Sequence, residues 1–359
     1  MPRPFYGGIR RALGGLMKSY IVKLKARHPF STLPTANSIL GSIAWQNEEQ
    51  GKSIDSLIHN TGEIIFSDAF IGVEEENKEY YFLPKPFLGY SVDIKELKED
   101  FEEIDIKSIY TIQKRVKSLK WINYSELFQL ISDECSESDL IDGALIGLEK
   151  SGFKKQFAIG YTGISPLKEV LRQRNRINRI TGSSEESGGT FYTTGYQLAH
   201  NGFLYFLVQT DKMQEYKTYI QNAFSIGIGK NKSIGFGQFE VEVIEKHPLI
   251  EKVTVHTGEK SHFHYILSNA FLPLSKIDLE KSYYSITGKR SRSESRIEGE
   301  SLLKAKVNLF SSGSVIKSKS LTTSLQGENR VVKQHENGEI YYFGQTLTLS
   351  VTEEAVKYE

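Results

Sequence analysis

Two separated segments, each beginning with a strand and a helix, limit the folds open to this chain more than any other feature. In the first, Tyr20, Val22, Leu24 and Ala26 alternate with Ile21, Lys23 and Lys25, the period of two that marks a strand with one partly polar face. Pro34-Thr35-Ala36-Asn37-Ser38 then opens a helix with the apolar stripe Ile39, Leu40, Ile43 and Ala44, where Asn37 or Ser38 is placed to cap it. Residues 63–73 (EIIFSDAFIGV) and 79–83 (EYYFL) follow as two strands joined by the acidic turn EEENK. In the second segment a strand at 202–209 precedes a helix from Met213 to Phe224 and a strand at 238–244. Strand, helix, strand, strand opens a split βαβ, or ferredoxin-like (RRM-like), unit. Residues 17–246 are therefore expected to form one βαββαβ domain of α+β class, interrupted by a long insertion at about 92–195.

Within the insertion, residues 92–150 read as mostly helical and charged, with a basic stretch at Lys114-Arg115-Val116-Lys117 and Lys120. A strand-turn-strand signal surrounds Gly182 to Gly189. From His247 onward the pattern is strand-rich: HFHYILS, KSYYSIT, KAKVNLFSSGSVIK and EIYYFGQTLTLSV alternate polar and apolar residues, with a loop at 288–300. Residues 247–359 are expected to form a second, smaller domain. Residues 1–16 (MPRPFYGGIRRALGGL) carry three arginines but no continuous apolar run, so they read as a flexible N-terminal extension rather than a signal peptide. No fixed-period repeat is visible, which argues against a solenoid or propeller.

Composition narrows the function classes. Forty-five basic residues face 44 acidic ones, a formal net charge of +1, so any basic surface must be local. Cys135 is the only cysteine, which excludes an intramolecular disulfide and a cysteine-clustered zinc site and suits a reducing, cytoplasmic setting. No apolar run approaches the roughly 18 residues of a membrane helix.

The stretch SIGIGKNKSIGFGQF, residues 225–239, lies between the second helix and the strand that follows it. A P-loop would need Gly, four residues, then Gly-Lys-Ser/Thr, but here Gly229-Lys230 is followed by Asn231 and Phe224 stands five positions before Gly229. A dinucleotide fingerprint would follow a strand and open a helix, the reverse of this order. Residues 234–239 also bear a partial likeness to an RNA-recognition strand signature, without its leading basic residue. Glycines at 227, 229, 235 and 237 leave N–H groups without Cβ cover, while Lys230, Lys232 and Ser233 add cations and a hydroxyl, an arrangement suited to a phosphodiester chain. A helix C-cap followed by a turn with solvated lysines is the alternative.

A second basic group, LRQRNRINRITG at 171–182, carries Arg172, Arg174, Arg176 and Arg179, and no carboxylate lies between Glu169 and Glu185. As a strand it sets 172, 174 and 176 on one face; as a helix, 172, 176 and 179. Guanidinium groups bind phosphate bidentately and stack on bases. A solvated basic face is the alternative.

Arg174-Asn175-Arg176-Ile177-Asn178-Arg179-Ile180-Thr181-Gly182, followed by Gly189-Thr190-Phe191-Tyr192, resembles the RN-x-IDR-x-TG stretch of the RAMP superfamily of CRISPR proteins. Residues 227–239 resemble that superfamily's G-x-G-x-x-K-S-x-G-x-G-x-F loop. With Tyr81 to Pro86, Ser38 to Ile43 and Asn308 to Ser314, the chain from about Met17 onward resembles the subunit of the type III-A (Csm) interference complex that caps the guide RNA. That resemblance implies a pair of ferredoxin-like domains, with a β-hairpin thumb in the first that wedges into the start of the guide–target duplex. Its implied partners are the crRNA 5′ handle, the large polymerase-nuclease subunit, the backbone RAMP subunit, and target RNA near the thumb. It implies RNA contacts at Gly227, Gly229, Lys230, Lys232, Ser233, Gly235, Phe236 and Gly237, and at Arg172, Arg174, Asn175, Arg176 and Arg179. Thr35, Asn37 and Ser38, Lys85, and Ser312 and Gly313 complete the set. Asn178 stands where the family has aspartate, and Ala36-Asn37-Ser38 where it often has Ser-Asp.

Catalysis, metals and cofactors are not expected. A related RAMP endoribonuclease cuts guide precursors without metal by histidine acid–base chemistry, so His28 or His59 could serve as a base. No acid partner can be assigned to either by spacing. His262 and His264 share a strand face, but two imidazoles make a weak metal site. Asp68 lies on a strand without a nuclease motif around it, and Glu74-Glu75-Glu76 reads as a solvated hairpin tip.

Overall fold

A computed structural model describes residues 17–59, 62–88, 110, 114, 117–135, 157–161, 163–183, 189–292, 303–335 and 338–356. The expectations for residues 1–16, for most of the helical part of the insertion, and for the centres of the turn at 182–189 and the loop at 288–300 fall outside the described residues.

The chain is a mixed α+β protein. Its larger sheet has seven strands, in the order β5 (Trp121–Asn123), β4 (Lys78–Pro84), β3 (Phe70–Glu75), β8 (Gly202–Thr210), β1 (Ser19–Ala26), β9 (Phe239–Ile244), with β2 (Ile64–Phe66) also paired to β8. All these pairings are antiparallel; Val22 lies opposite Phe206 on one side and Val243 on the other. The single run expected at 63–73 is two strands: Ser67 still bonds to Leu207 of β8, but the Asp68 and Ala69 N–H groups turn away to the Leu267 and Pro34 carbonyls.

The near-continuous apolar sequence of β8 reflects cover on both faces. Leu204, Phe206 and Val208 point into a core with α1 (Ala36–Glu49) and α4 (Met213–Ile226), which supply Ile39, Ile43, Ile220 and Phe224. Phe203, Tyr205 and Leu207 point into a second core. That core takes Leu127 and Ile131 from α3 (Tyr124–Ile131), Leu249 and Val253 from α5 (Pro248–Gly258), and Phe263, Tyr265, Leu349 and Val351 from the smaller sheet. The smaller sheet runs β11 (Ile277–Tyr283), β14 (Val315–Thr322), β10 (Ser261–Ile266), β17 (Thr348–Val351). Tyr265 donates to the Pro84 carbonyl and Tyr205 to that of Phe82, so the phenol groups sharing this core are satisfied where it meets β4.

Three two-stranded sheets stand apart: β6 (Leu167–Asn175) with β7 (Thr190–Leu198), β12 (Ile286–Lys289) with β13 (Val307–Phe310), and β15 (Glu328–His335) with β16 (Gly338–Gly344). The strand-rich expectation after residue 247 omits α5 and β15. Its physical basis for α5 was present: Pro248 sits at the helix start, His247 accepts from the Leu249 N–H as N-cap, and Leu249, Ile250 and Val253 form a helical stripe. Among the described residues no helix is long and apolar enough to cross a membrane.

Candidate nucleic-acid interface

The glycine-rich loop is a closed neck with an open crown. At the neck Ile228 donates to the Gly237 carbonyl (2.9 Å), Gly237 to that of Pro29 (3.0 Å), and Arg27 to that of Gln238 (3.0 Å). Gly237 has φ +74°, and a Cβ there would lie 2.1 Å from the Ile228 carbonyl oxygen; at Gly227 (φ +110°) it would lie 2.8 Å from that of Phe236. These two glycines serve the loop's own backbone. Gly235 (φ +85°) has open space around its Cβ position, and at Gly229 (φ +91°) a Cβ would meet only hydroxyls, Ser31 Oγ at 3.3 Å and Thr32 Oγ1 at 3.9 Å. The glycine excess thus divides into two that close the neck and two that leave the crown uncovered.

Donors collect at the crown. Asn231 is left-handed, at φ 69°, and the N–H groups of Gly229, Lys230 and Asn231 have no acceptor among the described residues. Lys230 and Ser233 are exposed and Lys232 half-buried. Ser31, a residue that sequence reasoning did not single out, donates from Oγ to the Lys230 carbonyl and braces the crown from the β1–α1 connection. Successive N–H groups beside a left-handed residue form the concave donor arrangement that suits anions.

The β6–β7 hairpin meets this loop. Direct pairing of Arg172 with Thr193 and of Arg174 with Phe191 puts both arginines on one face, while Arg176 lies beyond the strand and its N–H bonds to the Gly189 carbonyl. The Arg172 and Arg174 guanidinium carbons stand 5.5 and 5.6 Å from the centre of the Phe236 ring. Phe236 is fully buried, so it is not a surface on which a base can stack. Gly195 on β7 permits the contact, since a Cβ there would lie 2.8 Å from Phe236 Cε1 and 2.9 Å from the Phe30 carbonyl oxygen. An isolated glycine inside a strand pattern is the sequence signal for such an approach. Arg172, Arg174 and Lys230 have no carboxylate partner among the described residues.

Further out, Asn175 Oδ1 accepts from Thr190 Oγ1, and Asn178 Oδ1 accepts from the Ile180 N–H, so both amides shape the hairpin. Arg179 is exposed beside Ile180, which is 94% exposed.

The other sequence-selected residues sit at the start of α1 and at the end of β4. Thr35, rather than Asn37 or Ser38, is the N-cap of α1: it accepts from the Ser38 N–H, and Ser38 Oγ accepts from the Thr35 N–H, a reciprocal box. Asn37 Oδ1 accepts from the Phe343 N–H of β16. The Ala36 N–H donates to the buried Asp68 carboxylate, which also accepts from the backbone and side chain of Asn269. The helix start is therefore engaged by groups of its own chain. Burial pushes the Asp68 carboxyl above the usual range, against the opposing pull of Lys289 and these N–H donors.

Lys85, Ser312 and Gly313 gather at the end of β4. The Phe87 N–H bonds to the Gly313 carbonyl, and a Cβ at Gly313 would lie 3.1 Å from that of Lys85; Ser312 Oγ is buried without a partner among the described residues. This corner is four strand spacings from β9, roughly 19 Å, and about five to seven residues, or ~17–23 Å, along the strands. It lies at the corner of the sheet diagonally opposite the glycine loop.

Of the histidines, His28 is exposed between Arg27 and Pro29 at the neck of the glycine loop. His264 is buried, 3.1 Å from the Ser261 carbonyl, and desolvation lowers it to about 4; His262 lies against the Ser318 carbonyl. Among the described residues no group of three His, Cys, Asp or Glu could hold a metal ion.

Neither a family model nor a curated protein matches the chain. Solved structures do. A chain in the crystal structure of the Csm3–Csm4 subcomplex of the type III-A CRISPR-Cas interference complex is similar with TM-score 0.55 and 16% identity, covering 93% of this chain and 99% of that one. Chains in the Csm1–Csm4 cassette in complex with cA3 and with AMPPNP are similar with TM-scores 0.53 and 0.50 and identities 17% and 18%, each covering 93% of this chain and 98% of the other. Csm4 is the component common to these assemblies, and this chain shares the fold of the matched chains.

Proposed function

We propose that this protein is a non-catalytic CRISPR RNA-binding subunit of a type III-A interference complex, holding the crRNA 5′ handle on its glycine-rich loop. The observation that carries the reading is the convergence of the loop crown with Arg172 and Arg174 at Phe236, which puts unpartnered N–H groups and unpaired cations on one surface. The fold shared with Csm4-containing assemblies supports placement beside a large polymerase-nuclease subunit and a backbone RAMP subunit. The β6–β7 hairpin, with Ile177 and Ile180 exposed beyond β6, is the thumb that meets target RNA at the start of the guide duplex.

The ferredoxin-like reading of residues 17–246 is supported by the strand order β9-β1-β8-β3 with α1 and α4 on one face, the third core strand being β8 and β4 an addition beyond β3. Residues 247–359 form the second domain, docked through the core shared with the front of the larger sheet.

Replacing Lys230 and Lys232 with alanine tests the loop's part. Handle RNA binding is expected to weaken and its salt dependence to flatten by about one to two counterions. Unchanged affinity with an unchanged salt slope would refute the reading. The exposure of His28 at the neck favours one second reading, a metal-independent endoribonuclease with His28 as base; cleavage of repeat RNA in chelator, abolished by His28→Ala, would establish it over the first.

A further inference from the structure

Phe236 joins two basic groups that are about fifty residues apart in sequence. Its ring is fully buried, and Arg172 and Arg174, two residues apart on one face of β6, both bring their guanidinium groups to it at 5.5 and 5.6 Å. Its main chain is tied to the other partner, because the Phe236 N–H donates to the Asn231 carbonyl (3.2 Å), within the run of N–H groups left open at 229–231. Arg174 Nε is closed off from solvent and has no hydrogen-bond partner among the described residues.

We propose that Arg172, Arg174 and the N–H groups of Gly229, Lys230 and Asn231 form one composite clamp for adjacent phosphates of a single-stranded RNA, with Phe236 as the positioning residue that holds both arginines against the loop. This rests on the RNA-binding reading above. A guanidinium packed on an aromatic ring keeps donors free in its own plane, so the contact fixes direction without consuming the phosphate-binding capacity. Much of the arginines' rotamer freedom is given up before the ligand arrives, which lowers the ordering cost of binding. The same contact couples the hairpin's orientation to occupancy of the loop, since moving either element separates ring from cation. Gly195 belongs to this device: any larger residue there pushes the hairpin off Phe236 and the Phe30 carbonyl.

The test is a double-mutant cycle on the full chain, reading fluorescence-anisotropy titrations of a short single-stranded RNA of mixed sequence, with thermal melting of each variant as the folding control. R172Q/R174Q is expected to weaken binding about tenfold. F236L, which keeps apolar volume but removes the ring, is expected to weaken it about three- to tenfold, with little further loss when R172Q/R174Q is added. G195A provides the same comparison from the hairpin side if F236L does not fold. Full additivity of F236L, or of G195A, with the arginine changes overturns the clamp while leaving the RNA-binding reading intact. Loss of affinity in K230A without any in R172Q/R174Q also overturns it. No loss in either would instead remove the underlying reading.

Discussion

Alanine at Gly237 and at Gly235 should behave very differently, although both glycines lie in one short motif and both have positive φ. At Gly235, with φ +85° and nothing within 4 Å of the Cβ position, only the left-handed backbone is penalised, about 1 kcal/mol. At Gly237 the same penalty applies, and the new methyl would also lie 2.1 Å from the Ile228 carbonyl oxygen and 3.1 Å from Ile228 N. Backbone must move, and the Ile228 N–H bond to the Gly237 carbonyl is the contact closest to the clash. Adding roughly 1 kcal/mol for that bond and about 1–2 for the displaced packing gives a loss of about 3–4 kcal/mol for Gly237→Ala. Urea unfolding of both variants measures the difference, and RNA titration at a temperature where both are folded measures the effect on the crown. Equal destabilisation by the two substitutions would refute the division of the loop into a structural neck and an open crown.

Three further perturbations follow from the same geometry. Asp68→Ala leaves the Ala36 N–H and the Asn269 donors without their buried acceptor and should cost about 3 kcal/mol in denaturant unfolding; a loss below about 1 would mean that the α1 start does not depend on this carboxylate. Thr35→Ala removes the capping box and should cost about 1 kcal/mol, whereas serine at the same position should cost little. His264, lowered to about 4 from an ordinary value of 6.5, takes up its proton more readily when unfolded, so its contribution is complete above pH 6.5 and lost as pH falls toward 4. The window corresponds to roughly 3 kcal/mol, and His264→Gln should flatten the stability–pH curve there; an unchanged acid limb would place the linkage in other groups.

Much of the larger sheet was legible because its signals are local. The period of two in β1, the all-apolar β8 and the stripe on α4 each state an element within a few residues, although β1 is buried on both faces through Leu24, Lys23 included. The break at Ser67-Asp68-Ala69 was not legible, since it depends on Pro34 and Leu267, which accept the Ala69 and Asp68 N–H groups from distant parts of the chain. α5 was missed because its stripe is short and begins directly after a strand.

At the interface, residue types were legible and roles were not. Spacing identified the arginines and the family resemblance Phe236, but burial of the ring between loop and hairpin makes it a support rather than a stacking surface. Thr35 and Ser38 have the hydroxyls expected of phosphate contacts, yet they spend them on each other. Lys85 and Gly313 do meet, at a corner of the sheet that sequence order could not separate from the glycine loop. Gly195 carried the plainest overlooked signal, a lone glycine in the middle of the strand TFYTTGYQL.

The central claim, that this chain holds the 5′ handle of a guide RNA, is tested most directly by purifying the assembled complex from cells with the full chain and sequencing the 5′ ends of the bound RNA. The account predicts a constant repeat-derived segment at those ends, protected from nuclease in the intact complex and exposed to it when Lys230 and Lys232 are both alanine. Heterogeneous 5′ ends, or a constant end equally protected in the double variant, would contradict it.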